Sequence, residues 1–155
     1  MLLLYQLDLD NSQGRHITYR NTRNQATLRM INSNIALTHG KSGYPSNFKA
    51  EEAIIVTYNE IPKYGQRNIR FTFQAVIATD YNNTIANLNY KKLDQNGVVG
   101  HFDPYCTNAK QVSNLSNTDL QRTSNVGVRG KHIILLSPKG CIGRDGKLHS
   151  NHFLE

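Results

Sequence analysis

Only two cysteines stand in the 155 residues, Cys106 and Cys141. They lie too far apart for a zinc knuckle, and no H-E-x-x-H occurs, so no zinc site is written in the chain. From the residues alone, one disulfide and two buried thiols are both open. No stretch reaches the roughly 18 apolar residues of a membrane-spanning helix, so no membrane insertion is expected. Met1-Leu2-Leu3-Leu4 is too short for a signal peptide, and Asp8 and Asp10 follow at once. Basic charge is never concentrated: 18 Lys and Arg against 11 Asp and Glu leave +7, yet no run of four occurs. The densest cases, Lys91-Lys92 and Arg129 with Lys131, read as solvated faces. The aromatics sit in the apolar register of strands rather than between exposed cations, which argues against nucleic acid as a partner.

Signatures of catalysis are missing too. Gly40-Lys41-Ser42 lacks the earlier glycine and the following helix of a phosphate-binding loop, and reads as a plain loop. None of the six histidines pairs with another at ligand spacing on a clear element; His149 and His152 are three apart but lie in the tail. No nucleophile elbow surrounds any serine. Asp8 and Asp10 read as turn-capping groups, and Asp80, beside Asn82-Asn83, reads as an Asx turn. No enzyme, cofactor or metal is expected.

What is present is a strand pattern. The stretch Arg70–Tyr90 carries Phe71, Phe73, Ala75 and Ile77 at period two, a turn at Thr79–Asn83, and then Ala86, Leu88 and Tyr90 at period two again. That alternation predicts a long antiparallel hairpin with one apolar face and a turn longer than two residues. Leu2–Asp10 and Arg15–Arg20, joined by Asn11-Ser12-Gln13-Gly14, predict a first hairpin with Ile17 and Tyr19 inward. A helix of about three turns is expected next. Asn21 or Thr22 would cap it; Leu28, Ile31 and Ile35 would face the sheet, with Ala26 and Met30 widening that face. Ala53–Glu60 predicts a third strand, whose Ile54-Ile55-Val56 suggests a central position covered on both sides. Pro62 is expected to end it, leaving Ile61–Asn68 as a connection. Residues 93–125 hold no readable pattern, His132–Leu136 predicts a last strand, and the chain from Ile142 reads as a polar tail. The richness in Asn, Thr and Ser disfavours a helical bundle. The expected fold is α+β: a mostly antiparallel sheet with one surface helix packed on it, forming one domain over residues 2–141 with a flexible tail over 142–155.

Two sequons, at Asn82 and Asn114, fall in expected loops and make both asparagines candidate glycosylation sites. A basic binding face is a second functional reading. Arg15, Arg20, Arg67, Arg70, Lys91 and Lys92 would serve a glycosaminoglycan or other carbohydrate partner if the fold gathers them.

Four stretches together resemble the nidogen-like (NIDO) domain family. Phe73-Gln74-Ala75-Val76-Ile77-Ala78-Thr79-Asp80, followed by Asn87-Leu88-Asn89-Tyr90, is similar to its central "TFQ-hydrophobic-ATDG" and "FNY" strands. Thr123–Lys131 is similar to its "TSNVGVPGRW" segment. Asp8-Leu9-Asp10 with Gly14-Arg15, Ile17 and Tyr19-Arg20 resembles its "DVD…GRVYYR" opening. Ile55–Ile61 resembles its "ATWxxV" strand. Tyr81 stands where the family carries glycine, Arg129 where it carries proline, Tyr58 where it carries tryptophan, and Lys91-Lys92-Leu93 where it carries an "IQW" strand. The resemblance implies a secreted or cell-surface setting, a multidomain parent, an adhesion or matrix role with extracellular protein partners, and no catalytic residues. That setting favours a Cys106–Cys141 disulfide.

Overall fold

The computed structural model describes residues 2–6, 8–12, 16–94, 98–101, 110–111, 117–137, 141–142 and 148–149. In chain order they form β1 (Leu2–Gln6), β2 (Ile17–Thr22), α1 (Gln25–Ile35), a 3-10 turn (Ala36–Thr38), β3 (Glu52–Lys63), β4 (Gln66–Thr79) and β5 (Thr84–Leu93). They continue with β6 (Val98–His101), β7 (Lys110–Gln111), a second 3-10 turn (Asn117–Gln121), β8 (Lys131–Ser137), β9 (Cys141–Ile142) and β10 (Leu148–His149). The main sheet is antiparallel, in the order β2-β3-β4-β5-β8, and α1 packs on it, so the α+β architecture is as the sequence implies.

The central hairpin is β4–β5, with Ala75 opposite Leu88 and Phe73 opposite Tyr90. The Asp80 carboxylate closes its turn by accepting the Asn82 and Asn83 amides at 2.9 and 2.6 Å, the Asx turn expected. Tyr81 takes a φ of 62° in this turn, a left-handed conformation that suits glycine. That is the position at which the family pattern carries glycine.

The expected first hairpin does not form. β1 pairs with β6 in a separate three-stranded sheet, while β2 pairs with β3 across α1. The link between β2 and β3 is the helix itself, which carries the chain over the sheet. Asp8 and Asp10 instead flank the far end of β3: Tyr64 donates to the Asp8 carbonyl and Asp10 to the Pro62 carbonyl, both at 2.8 Å. Tyr19, expected inward, is 82% exposed because it lies on the edge strand at the uncovered end of its face.

The helix starts later than expected. Asn21 and Thr22 belong to β2, paired with Ile54 and Ala53. The cap is Asn24, whose Oδ1 accepts the Thr27 amide at 3.0 Å. Leu28, Ile31 and Ile35 are buried as expected, but Ala26 and Met30 are exposed. At about 100° per residue they fall on the side of the helix opposite Leu28.

β3 also differs from expectation. It continues through Pro62 to Lys63, with register shifts after Tyr58 and at Pro62–Lys63, and a φ of 50° at Glu60. These irregularities accommodate the proline and leave Tyr64-Gly65 as the turn into β4. Ile61–Asn68 is therefore mostly strand. β3 is central in strand order, yet Ile54 is 43% exposed, so its run is not covered on both sides.

Two cores explain that opening. The first, between α1 and the sheet, contains Leu28, Ile31, Ile35, Ile55, Val76, Ala78, Ile85 and Ile133. The second, on the reverse face, contains Ile61, Phe71, Phe73, Leu88, Tyr90, Leu93 and Leu120, with Leu9 and Tyr58 packed against it. The first lies toward one end of the strands; the second lies toward the other on β3 and β4 and also reaches Ala86, Ile134 and Leu136 on β5 and β8. Among the described residues, the remainder of each face is left without a cover of this kind.

Candidate functional site

The two open halves have opposite character. On the helix face, one cross-strand row runs the full width of the sheet: Thr18 opposite Thr57, Thr57 opposite Gln74, Gln74 opposite Asn89, and Asn89 opposite Lys131. Directly opposed residues share a face, so all five project to the same side. The parallel row two residues along is Arg20, Ile55, Val76, Asn87 and Ile133, mostly under α1. The polar row thus borders the helix. Lys131 Nζ donates to Asn34 Oδ1 of α1, and Gln74 Nε2 donates to Thr57 Oγ1 at 2.8 Å. Burial pushes the Lys131 ammonium pKa down.

Two adjoining depressions of about 270 and 330 Å³ follow this row and share Thr57 and Gln74. Among the described residues that line them, the cations are Arg20, Lys91, Arg129 and Lys131, and there is no carboxylate. Lys91 enters because a bulge sits between Thr72, opposite Lys92, and Phe73, opposite Tyr90. Gly130 supports the rim: its carbonyl accepts the Tyr90 amide at 2.7 Å, and its φ is 74°.

The reverse face opens at the other end. Ile54 lies opposite Ile77, and with Tyr81, 62% exposed, they line an apolar cavity of about 360 Å³. Glu52 borders it and holds Arg23 at 2.9 Å and Asn21 at 2.7 Å. Those hydrogen bonds, Arg23 first, hold the Glu52 carboxyl below its usual range.

The six basic residues read from the sequence divide as follows. Arg20, Arg70, Lys91 and Lys92 lie on the helix face or at its bulge, by their pairing and contacts. Lys92 sits between Glu60 at 3.6 Å and Asp94 at 3.5 Å, and Arg70 donates to the Glu60 carbonyl at 3.1 Å. Arg67 lies at the start of β4, next to the Tyr64-Gly65 turn, and its charge acts on Asp10. Arg15 lies outside the described residues. Asn82 is exposed in the hairpin turn; Asn114, Cys106 and the side chain of Cys141 lie outside the described residues, as does most of the expected tail.

Sequence reasoning passed over Thr57, Gln74, Asn89, Arg129 and Lys131 as a group. The available signal was a polar residue at the corresponding place in each inner strand, but only the register places them side by side. The Gly40-Lys41-Ser42 loop is a loop as expected, and Lys41 Nζ donates to the Asn125 carbonyl. Asp10 caps its turn, accepting the Ser12 amide at 2.9 Å; the Ser12 side chain first, and then this amide, lower its pKa. Among the described residues, no three His, Cys, Asp or Glu are grouped to hold a metal ion.

The described residues thus form an open antiparallel sheet with a helix on one face and broad, shallow surfaces on both, without a catalytic constellation among them. The family model for the nidogen-like domain matches residues 1–96, and the chain belongs to that family. The matched span covers β1 to β5, the sheet's central hairpin included. Membership implies an extracellular setting. No curated protein and no solved structure matches the chain.

Proposed function

We propose that the chain is a non-catalytic module of a larger secreted or cell-surface protein, acting in cell adhesion or matrix assembly by binding another extracellular protein. The observation that carries this reading is the open apolar patch of Ile54, Ile77 and Tyr81 on a domain of the nidogen-like family. Apolar side chains left uncovered on a stable sheet are the usual core of a protein contact. Tyr19 extends the patch toward the free edge of β2.

The same reading takes residues 2–141 as the domain and 142–155 as its tail. It includes a Cys106–Cys141 disulfide, because exposed thiol pairs oxidise outside the cell, and glycans on Asn82 and Asn114. Intact mass after secretion, with and without reductant and glycosidase, reads both modifications.

Function is tested by cell attachment to the coated chain and by binding to a panel of purified matrix proteins. Ile54→Asp is expected to weaken attachment at least tenfold while the circular dichroism spectrum stays native. Attachment unchanged by Ile54→Asp, or no binding to any cell or matrix protein, would sink the reading.

A further inference from the structure

We infer that the polar half of the helix face is a binding site for an anionic polysaccharide, one bearing sulfate or carboxylate groups. This site is separate from the apolar patch and does not rest on it.

The row Thr18–Thr57–Gln74–Asn89–Lys131 crosses five strands. With adjacent strands about 4.8 Å apart, it extends about 19 Å, a track suited to a chain-like ligand rather than a small molecule. Its central members offer hydroxyl and amide groups, the complement of sugar hydroxyls. The Asn89 side chain makes no hydrogen bond within the described residues and is free to serve a ligand.

Charge completes the match. Arg20 stands toward one end of the row, and Lys91, Arg129 and Lys131 cluster at the other. Glu60 and Asp94 are engaged with Lys92 beyond the row. Four cations, with no carboxylate among the described residues that line the two depressions, attract an anion along the whole track. Lys131 is partly desolvated beside α1, where an ionic contact is stronger than on open surface.

A sulfated or uronate-bearing glycan fits both features. A nucleic acid would call for exposed aromatic faces between the cations, and the aromatic rings behind this track, Phe73 and Tyr90, are buried in the second core.

The experiment is equilibrium binding of a size-defined heparin oligosaccharide to the whole chain across a salt series. Uncharged dextran and a single-stranded oligonucleotide of matched charge serve as comparators. Lys91→Ser with Arg129→Ser is expected to weaken heparin binding at least tenfold and to flatten its salt dependence. Asn89→Ala is expected to weaken binding severalfold with the salt dependence unchanged, since it removes an uncharged contact. Lys49→Ser with Arg67→Ser, which removes the same charge outside both depressions, is expected to leave affinity within twofold. Ile54→Asp is expected to bind heparin like the parent, so failure of the apolar patch and failure of this site are told apart. An equal loss for the Lys49 and Arg67 pair, no heparin binding by the parent, or an oligonucleotide bound as tightly as heparin would overturn the proposal.

Discussion

Asn125 pairs with Ile133 as a neighbouring strand would. Its Nδ2 donates to the Ile133 carbonyl at 2.6 Å, and its Oδ1 accepts the Ile133 amide at 2.9 Å. Among the described residues β8 is the last strand of the sheet, so this amide satisfies an edge without a further strand there. Ser124 adds to it, donating to the Lys131 carbonyl at 2.8 Å. Gln121 does the same for Leu93 at the end of β5, accepting its amide at 3.0 Å. The Thr-Ser-Asn-Val-Gly stretch is thus an edge cap made of side chains. Asn125→Ala is expected to cost about 1–2 kcal/mol, because the Ile133 amide loses its partner while the carbonyl keeps the Tyr44 hydroxyl at 2.6 Å. Urea denaturation measures it, and hydrogen exchange at the Ile133 amide would quicken.

Gly130 and Gly127 make a paired test. Both have positive φ, 74° and 80°. A Cβ at Gly130 would collide with the Tyr90 carbonyl, whereas one at Gly127 meets nothing within 4 Å. Gly130→Ala is expected to destabilise by about 2–3 kcal/mol through backbone strain and overpacking. Gly127→Ala should cost only about 1 kcal/mol, the strain alone. Equal losses in thermal denaturation would contradict the collision.

Tyr81 holds a left-handed conformation that its own side chain disfavours. Tyr81→Gly is expected to keep or raise stability, by up to about 1 kcal/mol. Tyr81→Val, branched at Cβ, should lose about 1–2 kcal/mol. A melting temperature higher for the valine than for the glycine variant would refute the strain.

Asn87 is buried between Val76 and Ile133, and its Oδ1 has no hydrogen-bond partner among the described residues. Burying an oxygen without a donor is costly. Asn87→Val, an apolar residue of similar size that favours strands, is expected to stabilise the fold by about 1–2 kcal/mol. A loss of stability would show that the amide has a role in the core.

His132 gives the fold a dependence on pH. It is buried against Tyr90, with ring centroids 5.9 Å apart, and its Nε2 lies 3.0 Å from the Leu120 carbonyl. Desolvation lowers its pKa below the ordinary 6.5, outweighing the hydrogen bonds that favour the proton. In the unfolded chain the imidazole takes up a proton near pH 6.5, while in the folded chain it resists until lower pH. Its contribution is therefore fully present above pH 6.5 and is lost as pH falls from there through the folded pKa. The slope approaches at most about 1.4 kcal/mol per pH unit. Urea midpoints between pH 8 and 5 should show this fall, and His132→Gln should remove it from the upper part of the range, where carboxylates do not yet titrate. A parent midpoint flat between pH 7 and 5.5 would contradict it.

The alternation from Phe71 to Tyr90, the helical spacing of Leu28, Ile31 and Ile35, and the turn at Asp80 were legible because local periodicity decides which side chains can share a face. The family resemblance was legible for a related reason. Its signature residues meet local backbone needs: Asp80 closes a turn, Asn125 caps an edge, and Gly130 fits where no Cβ can. Partnership between distant segments was not legible. The sequence puts β1 next to β2, but the tertiary structure pairs β1 with β6 and sends β2 across α1 to β3, since hydrogen bonding between strands depends on the path of the chain and not on proximity in sequence. The same holds for the two open surfaces. Thr57, Gln74, Asn89 and Lys131 are each an ordinary polar residue, and Ile54 and Ile77 each an ordinary strand apolar. Only strand register sets them side by side, and only the offset of the two cores leaves those halves of the sheet open.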